Sequence, residues 1–181
     1  MSRREGRSAL VLPVGERDHL AGPADAPLTL VEYGDFECPH CRRAFPIVKT
    51  VQERVGARLR FVFRNFPLTE IHPHAEHAAE VAEAAGAQRA FWQMHDRLFE
   101  RQFALEDENL IEYARDLGLD ADRLGGELAA RTYKARVRED FMSGVRSGVN
   151  GTPTFFVNGA RHDEAWDADT LVAALNAALE R

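Results

Sequence analysis

The sequence has only two cysteines, no long apolar run and no surplus of basic residues. Two cysteines are too few for a scaffold held together by several disulfides. A membrane-spanning helix needs about 18 or more consecutive apolar residues, and no such run occurs. The formal net charge of -6 argues against a nucleic-acid partner, because phosphate binding needs lysine and arginine concentrated on one face. The length of 181 residues then favours one globular domain, which we expect to be a monomer.

The N-terminal segment also lacks a recognisable secretory signal. Its apolar stretch, ALVLPV, is interrupted by Pro13 and followed by charged residues, whereas a signal core has roughly 7–15 apolar residues. The sequence as it stands therefore predicts a cytoplasmic protein, and a periplasmic or extracytoplasmic location would follow if a signal had been removed. Residues 1–27 are predicted to be an irregular lead-in, with an extra edge strand as an open alternative.

Hydrophobic periodicity predicts a strand, a helix and a second strand in the first part of the chain. Residues 28–34 (LTLVEYG) and 59–66 (LRFVFRNF) are rich in β-branched and aromatic residues, which is typical of strands. Between them, apolar residues recur at spacings of three and four over residues 39–55, which predicts an amphipathic helix. Pro39 suits the first helical position, where its missing N–H costs nothing. This order is that of a βαβ unit with two parallel strands.

A long helical segment and two further strands follow. Residues 72–146 contain several helical patterns and predict a helical insertion. The stretch TPTFFVNGAR returns to strand character with Asn-Gly as a hairpin turn, and Asp167 is placed to cap a final helix. The order βαβ, helices, ββα is typical of an α/β thioredoxin fold, a mixed sheet with helices on both faces. Residues 28–71 and 147–181 would form its thioredoxin-like domain.

The two cysteines lie where the first strand gives way to the helix, in the stretch ECPHCRR. A reactive cysteine must be a thiolate, and Cys38 lies where a helix N-terminus and its unpaired N–H groups favour negative charge. Cys41 is one turn further on and covered by the helix. We therefore expect Cys38 to attack a substrate disulfide and Cys41 to resolve the mixed disulfide. The dipeptide between them, Pro39 and His40, is expected to tune the stability of the thiolate, chiefly through His40.

Other interpretations of this pair stay open at this point. Zinc sites use C-x-x-C as half of a four-ligand set, and the other ligands would come from the cluster His72, His74 and His77. A holdase-like module that binds peptides on an apolar surface would need neither cysteine. A C-x-x-C inside a βαβ pattern nevertheless favours redox chemistry. That interpretation implies no metal and no added cofactor, because the redox-active Cys38–Cys41 disulfide carries two electrons itself.

The stretch CPHC, residues 38–41, resembles the active-site motif of the DsbA-like thiol–disulfide oxidoreductases of the thioredoxin superfamily. The stretch GTPTFFVNG, residues 151–159, resembles the loop and hairpin that faces this motif in those proteins, and the likeness extends over nearly the whole chain. The resemblance implies a protein disulfide oxidoreductase that acts on protein or peptide thiols and disulfides. An external redox partner or a small thiol would recharge it, and the direction of electron flow is left open.

The resemblance also assigns roles in the facing loop. It implies a cis bond before Pro153, which would remove an N–H beside Cys38 and leave the backbone of Thr152 open to pair with an extended substrate. Gly151 precedes them as a third substrate-binding residue. Without the resemblance, a trans proline at the start of a strand is the commoner case.

Glu32 is the last candidate for the site, because the family often has a buried acid at this place beneath the disulfide. On an alternating strand, Glu32 shares a face with Leu30 and Gly34, where burial would raise its pKa and allow proton exchange with Cys41. A solvent-facing carboxylate near the strand end is the alternative, and Asp35 is a rival for the same role.

Aromatic side chains are numerous in the helical segment and near the cysteines. Their spacing predicts that most belong to the core and that some line an apolar groove for unfolded substrate. These residues are Phe36, Phe66, Phe91, Trp92, Phe99 and Phe103.

Overall fold

The computed structural model describes residues 8–181, so the first part of the predicted lead-in, residues 1–7, lies outside the described residues. Within the described range, five strands form one mixed sheet in the order β1-β3-β2-β4-β5. The central strands β2 and β3 run parallel, and the other neighbouring pairs are antiparallel. The strands are β1 (Leu20–Ala21), β2 (Leu28–Gly34), β3 (Leu59–Asn65), β4 (Thr154–Val157) and β5 (Ala160–His162).

Helices cover both faces of this sheet, and most of them lie between β3 and β4. The predicted order of βαβ, helices and ββα is confirmed, and the first helix has the predicted bounds. Side chains of Asp120 and Asp167 cap two of the helices by accepting backbone N–H groups, at 2.9 Å in each case. The helices are α1 (Pro39–Val55), α2 (Ala75–Ala87), α3 (Phe91–Glu100), α4 (Asp107–Asp116), α5 (Ala121–Ala129), α6 (Lys134–Arg146) and α7 (Ala168–Leu179).

The two faces of β2 serve different cores. Leu30 belongs to a large core that includes buried residues of α1, α3 and α7, whereas Val31 and Tyr33 belong to a smaller core with Phe141 of α6. This division follows from the alternation of side chains along a strand. Glu32 therefore shares the face of Leu30, beneath α1.

Gly34 is required by close packing on that same face. A Cβ at this position would lie 2.4 Å from the Phe63 ring and 3.1 Å from Glu32 Oε1. A contact of 2.4 Å is not tolerated between non-bonded carbon atoms, so the missing side chain gives the Phe63 ring its space. The packing of the Phe63 ring therefore requires glycine at the end of β2.

The prediction that Phe103 belongs to the core is wrong, whereas Phe36, Phe66, Phe91 and Phe99 are buried. Helix α3 ends at Glu100, and a turn follows that takes Phe103 off the apolar face. Its side chain is 81% exposed, with the Arg42 guanidinium 4.4 Å from its ring centroid. Helical spacing failed here because it was extended past the end of the helix.

Candidate active site

Cys38 is the N-cap residue of α1, with an extended backbone (φ -72°, ψ 122°) and Pro39 directly after it. Both cysteines are buried and present as free thiols. Residues that precede a proline avoid the helical region, so Pro39 fixes where the helix begins as well as filling its first position. The reactive sulfur is thereby held at the helix N-terminus, where unpaired backbone N–H groups favour negative charge.

The surroundings of Cys38 stabilise its thiolate. A side-chain hydrogen bond from Cys41 makes the largest contribution and lowers the pKa of Cys38 to about 5, against the opposing effect of burial. The side chain of Thr152 and the backbone N–H groups of Cys41 and His40 lower the pKa further. At neutral pH, Cys38 is therefore a thiolate, the form that attacks disulfides.

Cys41 has the opposite character. Burial, the hydrogen bond with Cys38 and the nearby charge of Glu32 raise the pKa of Cys41 well above its ordinary value. The backbone N–H of Asp35 is directed at its sulfur at 3.5 Å and opposes this effect. Cys41 is therefore a thiol at neutral pH and must lose its proton before it can act as a nucleophile.

The loop that precedes β4 faces Cys38. The Thr152–Pro153 bond is cis, the geometry that the resemblance implies. The Cys38 sulfur lies 3.6 Å from the carbonyl oxygen of Thr152. Gly151 is held in the same loop, because its carbonyl accepts the hydroxyl of Thr154 at 2.7 Å. Thr152 Oγ1 is buried and makes no hydrogen bond of normal length within the protein.

Glu32 is buried, with 2% of its surface exposed, so the alternative of a solvent-facing carboxylate is wrong. Burial, with a smaller effect of the charge on Cys38, raises the pKa of Glu32 to about 8. Its Oε1 atom has no hydrogen-bond partner in the protein. A carboxyl group with this pKa is able to accept and release a proton near neutral pH.

Asp35, the rival acid, is occupied by structural hydrogen bonds. Its carboxylate accepts the backbone N–H groups of Glu37 at 2.7 Å and Leu68 at 2.9 Å, and its second oxygen also lies 2.7 Å from His72 Nδ1. These contacts tie the loop before α1 to the loop after β3. Of the two acids, Glu32 is thus the one with an unpartnered oxygen.

The histidines of the sequence analysis do not form a common site. The ring of His40 is exposed and bonds to Arg43 at 2.8 Å, so its backbone N–H rather than its ring acts on Cys38, and tuning by the ring stays a prediction. His72 bonds to Asp35 and His77 to Asp107. Over the part of the chain that the structure describes, no three His, Cys, Asp or Glu side chains converge as metal ligands would.

Two contributors to the site were missed by the sequence analysis. The buried side-chain amide of Gln102 donates to the carbonyls of Phe36 and Cys38, at 2.9 Å each, and holds the loop before α1. No local pattern marks such a residue, because it acts from a turn distant in sequence. His95 lies in the core and lines the same cavity as Glu32, and its signal was a titratable residue within an otherwise apolar helix face.

The start of α1 thus holds two thiols of opposite acidity, opposite the loop of Thr152 and Pro153. A family model described as thioredoxin matches residues 15–177. The chain therefore belongs to the thioredoxin family.

Solved structures confirm the predicted thioredoxin fold and its likeness to DsbA-like proteins. Oxidised BdbD from Bacillus subtilis matches with a TM-score of 0.85 at 23% identity, over 97% of each chain. A thioredoxin-like oxidoreductase from Silicibacter pomeroyi matches with a TM-score of 0.82 at 26% identity, over 92% of this chain and 95% of that one. Agreement over such coverage includes the helical segment between β3 and β4.

Curated relatives carry a different name. A protein of Salinispora arenicola named Na(+)/H(+) antiporter NhaA 1 is 48% identical over 176 residues, which cover 97% of this chain and 27% of that protein. The chain thus spans about a quarter of the length of the curated relatives it matches, and most of the antiporter has no counterpart in it. Among residues 8–181, none of the helices combines the length and hydrophobicity of a membrane span.

Proposed function

We propose that the protein is a thiol–disulfide oxidoreductase that exchanges disulfides with protein or peptide substrates through Cys38 and Cys41. The main observation in support is the separation of the two thiols in acidity. The pKa of Cys38 is lowered to about 5, and that of Cys41 is raised well above its ordinary value, although both belong to the first turn of one helix. In such a pair, one thiolate attacks the substrate at once, and the second thiol attacks only after it has lost its proton.

In the first step, the Cys38 thiolate attacks one sulfur of a substrate disulfide. A bond forms between Cys38 and that sulfur, the substrate bond breaks, and its electron pair leaves on the other sulfur as a thiolate. An extended substrate beside Cys38 would pair with the backbone at Thr152, next to the cis Pro153. The Thr152 hydroxyl is buried beside Cys38 and helps to lower the pKa of its thiol.

In the second step, Cys41 loses its proton and attacks the sulfur of Cys38. The Cys38–Cys41 disulfide forms, the second substrate sulfur leaves as a thiolate, and two electrons have passed to the substrate. We assign the proton to Glu32. The charge on Cys38 contributes, after burial, to the raised pKa of Glu32, and this contribution ends once Cys38 is in the mixed disulfide. The pKa of Glu32 then falls, although burial still raises it, and more of its carboxylate form is present when a base is needed.

Both steps are reversible, so the same site can oxidise or reduce its substrates. Because the sequence has no cysteines besides these two, the pair must be recharged by an external redox partner or a small thiol. A cytoplasmic location stays a prediction.

Single-cysteine variants test this proposal most directly. Cys41→Ser should accumulate a mixed disulfide with a protein substrate, whereas Cys38→Ser should form none and lose exchange entirely, because only Cys38 begins the reaction. The measurement is mass spectrometry of quenched mixtures, with the wild type as the control that cycles. The proposal would be overturned if the protein bound one zinc ion per molecule and formed no Cys38–Cys41 disulfide with or without reductant. A holdase function would also overturn it. In that case the wild type would show no disulfide exchange, and Cys38→Ser would suppress the aggregation of unfolded proteins as well as the wild type does.

The direction of exchange follows from the reduction potential. Equilibration of the wild type with glutathione buffers gives this value from the fraction of protein with free thiols. A potential near about -270 mV, as in thioredoxin, would indicate reduction of substrates, and one near about -120 mV, as in DsbA, would indicate oxidation.

A further inference from the structure

A cavity of about 80 Å³ lies beside Glu32, between β2 and the helices α1 and α3. Most of its wall is aromatic or aliphatic. Its polar lining comes from Glu32, Lys49, Gln52 and His95. A cavity needs about 10–15 Å³ of such volume for each water molecule, and a water needs polar partners. This cavity meets both conditions.

Two buried polar atoms in this wall have no protein partner. They are Oε1 of Glu32 and Nε2 of His95, and both residues are almost fully buried, at 2% and 3% exposure. Buried polar atoms without partners are rare in folded proteins, and water is their usual partner. One cavity that is bordered by both residues is therefore suited to water that bonds to each.

The tautomer of His95 follows from its second nitrogen. His95 Nδ1 lies 2.8 Å from Asp96 Oδ1, and Lys49 bonds to the other Asp96 oxygen at 2.9 Å. Although burial opposes this, the bonds with His95 and Lys49 lower the pKa of Asp96, so it is an ionised acceptor. Nδ1 must then carry the proton and donate it, which leaves Nε2 as a free base toward the cavity.

Glu32, His95 and Asp96 form a series of groups that leads from the buried site to solvent. Asp96 is 32% exposed and Lys49 is 42% exposed, whereas Glu32 and Cys41 are enclosed. A proton taken from Cys41 by Glu32 has to reach solvent before the next cycle. Glu32, Lys49 and Asp96 are the charged groups around His95, from β2, α1 and α3 respectively.

We propose that His95 is a proton-relay residue, joined to Glu32 by water in this cavity, which carries the Cys41 proton to solvent at Asp96. This inference rests on the proposed function. Cys41 gives its proton to Glu32, Glu32 passes one through water to His95 Nε2, and Nδ1 releases one to Asp96 and solvent. No electrons move in the relay. Burial lowers the pKa of His95, so its ring is neutral at rest and holds an added proton only briefly before releasing it.

The test is a single-turnover reaction of the reduced protein with an excess of a fluorescent peptide disulfide. The first phase, which depends on peptide concentration, reports attack by Cys38, and the second, which does not, reports resolution by Cys41. His95→Gln cannot carry a proton between its two ends. We expect it to slow the second phase about tenfold at pH 7 and to leave the first unchanged. Glu32→Gln, which removes the base itself, should slow the second phase about 100-fold.

Two features of the result separate a relay from a structural role. The deficit of His95→Gln should shrink as pH rises, because hydroxide then removes the proton directly. In a Glu32→Gln background, His95→Gln should have no further effect, since groups in one pathway are not additive. Asp96→Asn, at a partly exposed position, should slow the second phase about threefold even if His95→Gln folds poorly. Phe61→Leu, an apolar change in the same cavity wall, serves as the control.

The outcomes distinguish the relay from the proposed function. A wild type without a first phase would contradict thiol–disulfide exchange itself. A wild type with both phases, together with an unchanged second phase in His95→Gln and Asp96→Asn, would overturn the relay alone. A deficit that is the same at every pH, or that adds fully to that of Glu32→Gln, would also overturn it.

Discussion

Two groups of buried polar side chains lie on opposite faces of the central strands. The site cluster, Glu32, His95 and Cys41, lies under α1 and has unpartnered polar atoms. The paired cluster lies on the other face, and its centre is Arg64. Arg64 bonds to both carboxylate oxygens of Asp18 at 2.9 Å. Tyr33 completes the paired cluster, because its hydroxyl accepts a hydrogen bond from Arg64 at 3.0 Å.

This difference shows what each face is built to do. Arg64 is fully buried, yet it also bonds to the Tyr33 hydroxyl at 3.0 Å and to the Leu12 carbonyl at 2.9 Å. A buried charge with this many partners keeps its charge and fixes the structure around it. Glu32 has no comparable partner for Oε1, and burial raises its pKa to about 8. A protonation equilibrium near neutral pH is useful for chemistry and costly for stability.

The largest expected effect on stability comes from breaking the paired cluster. Arg64→Met leaves the buried carboxylate of Asp18 without its main partner, and we expect the free energy of unfolding to fall by about 3–5 kcal/mol. Urea denaturation of the reduced protein measures this change. The matched control is Arg54→Met, which removes an exposed pair with Asp169 (43% and 88% exposed) and should cost no more than about 1 kcal/mol.

The comparison would fail if the two arginine variants lost similar stability. At a temperature where Arg64→Met is folded, its rate of exchange should equal that of the wild type. Arg64 bonds to Leu12, Asp18 and Tyr33 rather than to the cysteines. A large loss of exchange in the folded variant would show that the two faces are coupled.

The next prediction concerns the site cluster, where a substitution should increase the free energy of unfolding rather than decrease it. The pKa of Glu32 is raised from 4.5 to about 8 in the folded protein, so the native state holds a proton that the unfolded chain has lost between these pH values. Its contribution to stability is fully present below pH 4.5 and is lost as pH rises through about 8. Glu32→Gln should therefore be more stable than the wild type above pH 8, by about 2–4 kcal/mol.

The measurement is the difference in unfolding free energy between Glu32→Gln and the wild type across this pH range. The difference should grow with pH and then level off. Glu53→Gln, an exposed change on α1, is the control and should differ from the wild type by less than about 0.5 kcal/mol at every pH. A difference for Glu32→Gln that does not vary with pH would contradict the raised pKa. If Glu32→Gln is more stable than the wild type but slower in the resolution step, the wild-type residue lowers stability and increases activity.

The sequence was sufficient for the fold and for the cysteines because their signals are local. Periodicity gave the bounds of α1, and Pro39 marked its start. The partners of the buried polar groups were not predictable, because they come from distant segments: Gln102 reaches Cys38, and His95 meets Glu32 across a cavity. Alternation along β2 predicted which way Glu32 points. No local pattern tells whether a buried acid finds a partner there.

The choice between Glu32 and Asp35 illustrates the same limit. Both acids lie close to the cysteines in sequence, and their order along the chain does not separate them. Three hydrogen bonds from Glu37, Leu68 and His72 occupy Asp35, and two of these partners follow β3. Only the three-dimensional pairing of the two loops leaves Glu32 as the acid with an unpartnered oxygen.

The smallest effect concerns the one hydrogen bond that links the two thiols. The bond from the Cys41 side chain is the largest influence that lowers the pKa of Cys38 to about 5. Cys41→Ala removes the donor and should raise the proton affinity of Cys38 about tenfold, whereas Cys41→Ser keeps a hydroxyl donor and should raise it less. The pH dependence of Cys38 alkylation and of thiolate absorbance measures both. Equal proton affinities in the two variants would show that the helix N-terminus and Thr152, rather than the second thiol, hold Cys38 in its reactive form.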